Sequence, residues 1–323
     1  MTLAPFVRIV AQGKGRARPM TEAEAHAAME IILGGEAAPE AIGALLMVLR
    51  LRGETTDEIA GFVRALRTTL TDWQAAAPAL DWPSYAAGRT RGLPWFLLSA
   101  RLIAQAGHPV LIHGRNASDA QLRAHLPALT IPVVRTPDAA RTSLAKGGLC
   151  YVPVEALSAP ASDLLGLRAA LGLRSCINTC LRMANPGGAA TSVQGVFHPG
   201  YRVLQAEVAD VLGDKATMIL KGGGGEFERT PFKPVTLFGA RGATRFEAAP
   251  ALRPAAKRLT DLPEDPAALA ALWQGDLHHA DAEATVTGTA ALALLALGVA
   301  SDLPRAEEAA CTLWRDRHLR RAA

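Results

Sequence analysis

"MTEAEAHAAMEIILGGEAAPEAIGALLMVLRLRGETTDEIAGFVRAL", residues 20–66, is the stretch whose reading decides the fold. Thr21 and Glu24 stand at capping-box spacing, and Ala25, Met29, Ile32 and Leu33 recur on one helical face before Gly34 and Gly35 end the turn. Pro39 opens a second helix with Ile42, Leu45, Leu46 and Leu49 as its apolar stripe, and Gly53 closes it. Thr55 and Glu58 cap a third helix with Ile59, Phe62, Val63 and Leu66 turned inward. Three helices this short cannot bury all their apolar faces alone, so they must pack on the rest of the chain or on another subunit.

From about residue 80 the pattern changes. Val110, Leu111 and Ile112, then 192–196, 217–220 and 235–238, read as short strands. Helical stretches at 94–106, 162–171 and 201–212 alternate with them, which predicts a largely parallel sheet flanked by helices. Two long alanine-rich helices, 281–299 and 304–319, follow. The expected fold is α/β: a small N-terminal helical domain, 1–77, and a large α/β domain, 78–323.

Composition permits this and excludes other classes. Half of the 323 residues are hydrophobic, enough for a large core. The net charge of +4 permits a polyanionic partner without requiring one. Cys150, Cys176, Cys180 and Cys311 are not spaced for a disulfide framework or a thiolate zinc site, which predicts a reducing cytoplasm, and Cys176 and Cys180, four apart with no histidine near, read as buried structural thiols. The most apolar run, 289–300, is shorter than the roughly 20 residues a bilayer needs, and the N-terminus shows no signal-type core. A cytoplasmic protein with no membrane contact is expected.

In an open α/β sheet, ligands bind beyond the C-terminal ends of the strands. His113, Gly114 and Arg115 follow one candidate strand; Lys221 and the four glycines 222–225 follow another, leading to Glu226 and Glu228. Glycines with a cation suit a phosphate, and a carboxylate pair suits magnesium; a plain turn and a solvated loop are the competing readings. The stretch "ALDWPSYAAGRTRGLPWF", 79–96, stands where a glycine-rich phosphate loop would be, yet its Gly88 and Gly92 are apart and enclose Arg89 and Arg91. Trp95 and Phe96 read as core. No Ser-His-Asp or Cys-His set can be assembled, so no catalytic residue is assigned.

These segments resemble a known family. The stretch 20–66 resembles the N-terminal helical module of the anthranilate phosphoribosyltransferase and nucleoside phosphorylase superfamily, glycosyltransferase family 3. "LGLRSCINTCLRMANP", 171–186, resembles its G-x-R-T-x-x-N-x-x-G-P-L-x-N-P segment, and His113-Gly114 its K-H-G-N segment. The resemblance implies the helical-plus-α/β fold, a homodimer formed through the helical part, and an aromatic-acid site at Arg174. It also implies a G-T-G-G-D loop and an Asp-Glu pair for magnesium and phosphoribosyl pyrophosphate. Here the loop is missing, Ile112 replaces the lysine, Leu181, Arg182 and Met183 replace G-P-L, and Phe227 and Glu228 replace the acidic pair. Arg174, Asn178, Asn185 and Pro186 are kept.

This combination is similar to a divergent bacterial branch of nucleic-acid-binding dimers. The resulting expectation is a homodimer that binds DNA or RNA without sequence preference. Lys14, Arg16 and Arg18 of "GKGRARP" would contact phosphates, together with Arg89, Arg91, His113, Arg115, Arg174, Arg182 and Lys221. That reading needs no cofactor or metal and leaves Glu226 and Glu228 as vestiges. The alternative is a phosphoribosyl- or other pentosyltransferase with an altered donor site, using magnesium and phosphoribosyl pyrophosphate.

Overall fold

The computed structural model describes residues 2–13, 15–85, 92–115, 119–254 and 265–319. The chain begins with α1 (Ala4–Ala11), α2 (Glu22–Leu33), α3 (Pro39–Arg52) and α4 (Thr56–Thr68). Both anticipated capping boxes are formed, Thr21 with Glu24 and Thr55 with Glu58. The Glu58 carboxylate is fully buried and also accepts from Met20 N at 2.9 Å and from Arg52, so one cap ties three helices together. α4 crosses α2 at Gly61, where a Cβ would stand 2.3 Å from Glu22 O. The inward residues of α4 are buried as expected, whereas Leu33 and Ile42 are only half-buried.

The α/β part follows as β1 (Leu80–Ser84), α5 (Phe96–Gln105), β2 (Val110–Gly114), α6 (Asp119–His125), α7 (Pro137–Gly147) and β3 (Leu149–Pro153). Next come α8 (Val154–Leu157), α9 (Ala159–Gly166), α10 (Arg168–Leu171), α11 (Ile177–Arg182), β4 (Thr191–Val196), α12 (Tyr201–Leu212) and β5 (Ala216–Lys221). β6 (Val235–Arg241), β7 (Thr244–Arg245), β8 (Ala248–Ala249), α13 (Ala268–Gln274), α14 (Ala280–Leu297) and α15 (Leu303–Arg315) complete the chain.

The sheet order is β3-β2-β1-β4-β5-β6-β7, with β8 also on β6; β1 to β5 are parallel and β6 reverses. The fold is the expected helical domain plus mostly parallel α/β domain. β1 and β3 lie outside the strands read from sequence, and Pro83 explains the first: proline seldom sits in a central strand. β1 pairs β4 only at Leu80 and Asp81, so Pro83 lies where that ladder has already stopped.

Alternation along the strands builds two cores. Val110, Ile112, Leu149 and Tyr151 face α5, α14 and α15, with Trp82 beside them. Leu111, Cys150 and Val152 face the other way and share one apolar cluster with the helical bundle, α11 and α12. α14 is long and apolar enough to cross a membrane, but 67% of it is buried inside the protein, as a core helix is. Cys150, Cys176 and Cys180 are buried free thiols, while Cys311 is exposed.

Candidate functional site at the C-terminal ends of the strands

The strand order reverses direction between β1 and β4, and the crevice at that point, beyond the strands' C-terminal ends, is where such sheets take ligands. On the sheet side the crevice is filled by the chain itself. A Cβ on Gly195 would stand 2.0 Å from the carbonyl carbon of Glu226, and one on Gly222 1.8 Å from Glu226 O. The glycines after β5 thus let the 222–228 segment fold down onto the strand ends, which answers why glycine is repeated there. Phe227 is buried with its ring edge-on to Trp82 at 5.4 Å, and Trp82 stacks on Phe96.

The two carboxylates of this segment, expected as vestigial metal candidates, have protein partners. Glu226 Oε1 accepts from Ser84 Oγ at 3.1 Å, and Glu228 Oε2 accepts from Phe96 N, the first residue of α5, at 3.0 Å. Both are 1% exposed. A helix N-terminus is an anion site, and Glu228 supplies the anion internally. Among the described residues no group of three or more His, Cys, Asp or Glu could hold a metal.

Beside this plug lies a cavity of about 70 Å³, roofed by the helical bundle. Arg50 of α3 lines it, with Arg174, Asn178 and Arg182 from the α11 region and His198, Tyr201 and Gln205 beyond β4. Arg50 Nη1 donates to Tyr201 Oη at 3.2 Å, and Tyr201 donates to Glu54 Oε2 at 3.1 Å, so the C-terminal end of α3 is tied to α12 across the opening. Burial, with Glu54 nearby, pushes the Tyr201 hydroxyl up to about 12. Burial and the like charges of Arg168 and Arg182 pull Arg174 down to about 10. Burial also lowers Arg182, although Glu226 partly supports its charge. A buried guanidinium crowded by like charges, as Arg174 is, is what an anion would relieve. A larger cavity of about 700 Å³, lined by Arg101, Lys146 and Leu149, opens at the opposite, N-terminal end of β3.

Among the described residues the expected phosphate contacts do not converge. Lys14, Arg89 and Arg91 lie outside the described residues. Arg16 and Arg18 precede α2, and Arg18 is bound to Glu24 at 2.6 and 2.7 Å, serving the capping box rather than an open basic arm. His113 is fully buried: Nδ1 lies 3.0 Å from Tyr85 Oη, and Nε2 lies 3.1 Å from Asp81 Oδ1, off the hydrogen-bond line. No phosphate can reach it. Arg115 donates to Ser162 O at 2.9 Å, and Lys221 is exposed at the end of β5, outside the cavity lining. Among the described members of that set only Arg174 and Arg182 line the cavity, and Arg182 donates to Tyr85 O at 2.5 Å. Asn185, kept in the motif, bonds both ways with Ala189 and holds a left-handed turn.

The reading of the sequence missed Arg50, His198, Tyr201 and Gln205. "VFHPGY", 196–201, follows a correctly placed strand, so the strand-end rule already pointed there. Arg50 has no such signal: a basic residue in a helix's last turn is ordinary.

Two family models match the chain: "Glycosyl transferase family, helical bundle domain" over residues 6–70 and "Glycosyl transferase family, a/b domain" over 97–313. The anthranilate phosphoribosyltransferase of Rhizobium johnstonii is 31% identical over 224 residues, 69% of this chain and 65% of that relative's length. The one from Bacillus caldotenax is 33% identical over 66% of this chain and 87% of its own length. The crystal structure of anthranilate phosphoribosyltransferase from Thermus thermophilus superposes with TM-score 0.75 at 26% identity, covering 92% of each chain. The Saccharomyces cerevisiae enzyme in complex with phosphoribosyl pyrophosphate and magnesium shares the fold at TM-score 0.72 and 14% identity, covering 98% of this chain and 95% of its own. These relatives overturn the nucleic-acid-binding expectation: they are named as transferases, and the described cations on which that expectation rested do not gather at one site. A matching bundle, a matching α/β domain and relatives of one kind agree that this chain belongs to the anthranilate phosphoribosyltransferase-like glycosyl transferase family.

Proposed function

We propose that this chain is a pentosyltransferase with an altered donor site, acting in the cleft between the helical bundle and the C-terminal ends of β1 and β4. The observation that carries the reading is the cavity there, which Arg174 and Arg182 line together, the Arg174 guanidinium held below its usual range by burial and by the like charges of Arg168 and Arg182. The residues present do not fit a carboxylate-held magnesium, since Glu228 caps α5, Glu226 accepts from Ser84, and residue 227 is phenylalanine. Arginine is therefore the group that would hold the donor's anion. In the transfer, a bond from the acceptor to the anomeric carbon forms as the carbon–oxygen bond to the phosphate breaks. The electron pair leaves on the phosphate oxygen, and the acceptor's proton passes to solvent or to the departing phosphate.

The same reading includes a homodimer through the bundle, where Leu51 is 91% exposed next to half-buried Met47 and Val48 on α3. Light scattering should give twice the 33.9 kDa chain mass. The transferase is tested by offering phosphoribosyl pyrophosphate, or ribose 1-phosphate, with aromatic amine and nucleobase acceptors, and following products by phosphorus NMR with magnesium and with EDTA. Turnover that survives EDTA and is lost in Arg174→Ala supports the reading. No turnover, and no donor-induced rise in melting temperature at millimolar concentration, would remove it.

A further inference from the structure

Gln205 is fully buried, and neither its amide oxygen nor its amide nitrogen has a hydrogen-bond partner. Arg182 Nε, on a side chain 6% exposed, is in the same state. Both residues line the Arg174 cavity. Unmet buried donors and acceptors destabilise a fold, and an apolar residue at 205 would avoid the cost, so this amide calls for a ligand group. A glutamine amide presents one acceptor and one donor side by side. Its complement must offer a donor and an acceptor together, while Arg174 and Arg182 require negative charge. Carboxylates and sulfate carry acceptors only at neutral pH. A hydrogen phosphate carries both, through P–OH and P–O⁻.

We infer that the cavity formed by Arg174, Arg182 and Gln205 is a metal-independent binding site for a phosphate group that keeps one proton, with Gln205 selecting it over other oxyanions. The shared chemistry covers free hydrogen phosphate and a phosphate monoester bound as its singly protonated monoanion. As a substrate site the proposal rests on the transferase reading above; as an anion site it does not. The phosphate is held away from the N-terminus of α5, which Glu228 occupies.

The test is calorimetry and thermal melting of the full chain in EDTA at pH 7, with inorganic phosphate, sulfate, benzoate and ribose 5-phosphate. Phosphate should bind at least tenfold more tightly than sulfate or benzoate. Gln205→Leu should hold or raise the melting temperature of the free protein, weaken phosphate tenfold or more, and bring it level with sulfate. Gln205→Met, of similar volume, serves if the leucine variant does not fold. Arg174→Ala should weaken every anion. Ribose 5-phosphate binding more tightly than phosphate identifies a monoester as the ligand; weaker binding identifies the free ion. Equal affinity for sulfate, a need for magnesium, or phosphate binding unchanged in Gln205→Leu would overturn the proposal, the last meaning that water alone serves the amide. Phosphate selectivity without any transfer removes the enzyme reading and leaves this site; transfer without phosphate selectivity does the reverse.

Discussion

Glu228 shows how one side chain can change what a strand end does. Its carboxylate sits where a helix N-terminus would receive a phosphate, accepting from Phe96 N at 3.0 Å while 1% exposed. Removing it as Glu228→Ala leaves a buried N–H unpaired and a helix start without its anion, so unfolding in urea should show a loss of about 2 kcal/mol. The same variant should gain no magnesium affinity by calorimetry, because the adjacent position remains Phe227. Arg174 and Arg182 work in the other direction: their charge is incompletely matched within the protein, and they are kept where a ligand can complete it.

At the scale of elements, caps and crossings set the bundle. Glu24 is held down from its usual 4.5 to about 2, first by its bond to Arg18 and then by the Thr21 backbone. A depressed carboxylate adds stability that is fully present above pH 4.5 and fades as pH falls toward 2. Glu24→Gln should therefore flatten the acid side of the melting-temperature profile over that window, and high salt should shrink the difference, since the pair is exposed. Gly61 makes the opposite point about propensity. Alanine favours a helix by about 1 kcal/mol over glycine. At Gly61, however, the new Cβ would meet backbone of α2 at 2.3 Å, so Gly61→Ala should lower stability by about 1–3 kcal/mol in chemical denaturation.

For the whole molecule, the joint between bundle and α/β domain decides the site. Arg67 of α4 donates to Asp214 at 2.8 and 3.0 Å and to Met183 O at 2.8 and 3.1 Å, while Arg50 of α3 and Glu54 in the loop after it hold Tyr201. Arg67→Ala frees a carbonyl and a carboxylate at a partly buried joint. A loss of about 1–3 kcal/mol is expected in urea melts, together with faster hydrogen exchange in α12 than in α14. Because bundle and sheet share one apolar cluster, the bundle is a wall of the site as well as a module.

Periodicity and caps in 20–66, the strand runs at 110–112, 192–196 and 217–220, and the helix at 201–212 were legible because local spacing reports which face is buried. β1, with Pro83 inside it, was not, since only its neighbours reveal that the proline falls beyond the ladder. The sequence by itself determined the two-part fold and the burial of Cys176 and Cys180, while Cys311 proved exposed. It also displayed the cations but could not pair them. Whether a charge faces a ligand, a carboxylate or a backbone carbonyl depends on residues far away in the chain: Glu226 beside Ser84, Glu228 against Phe96, Arg50 against Tyr201. Only the tertiary structure decided that Arg174, Arg182 and Gln205 meet in one cavity, because burial and electrostatic partnership are properties of distance in space and not of order along the chain.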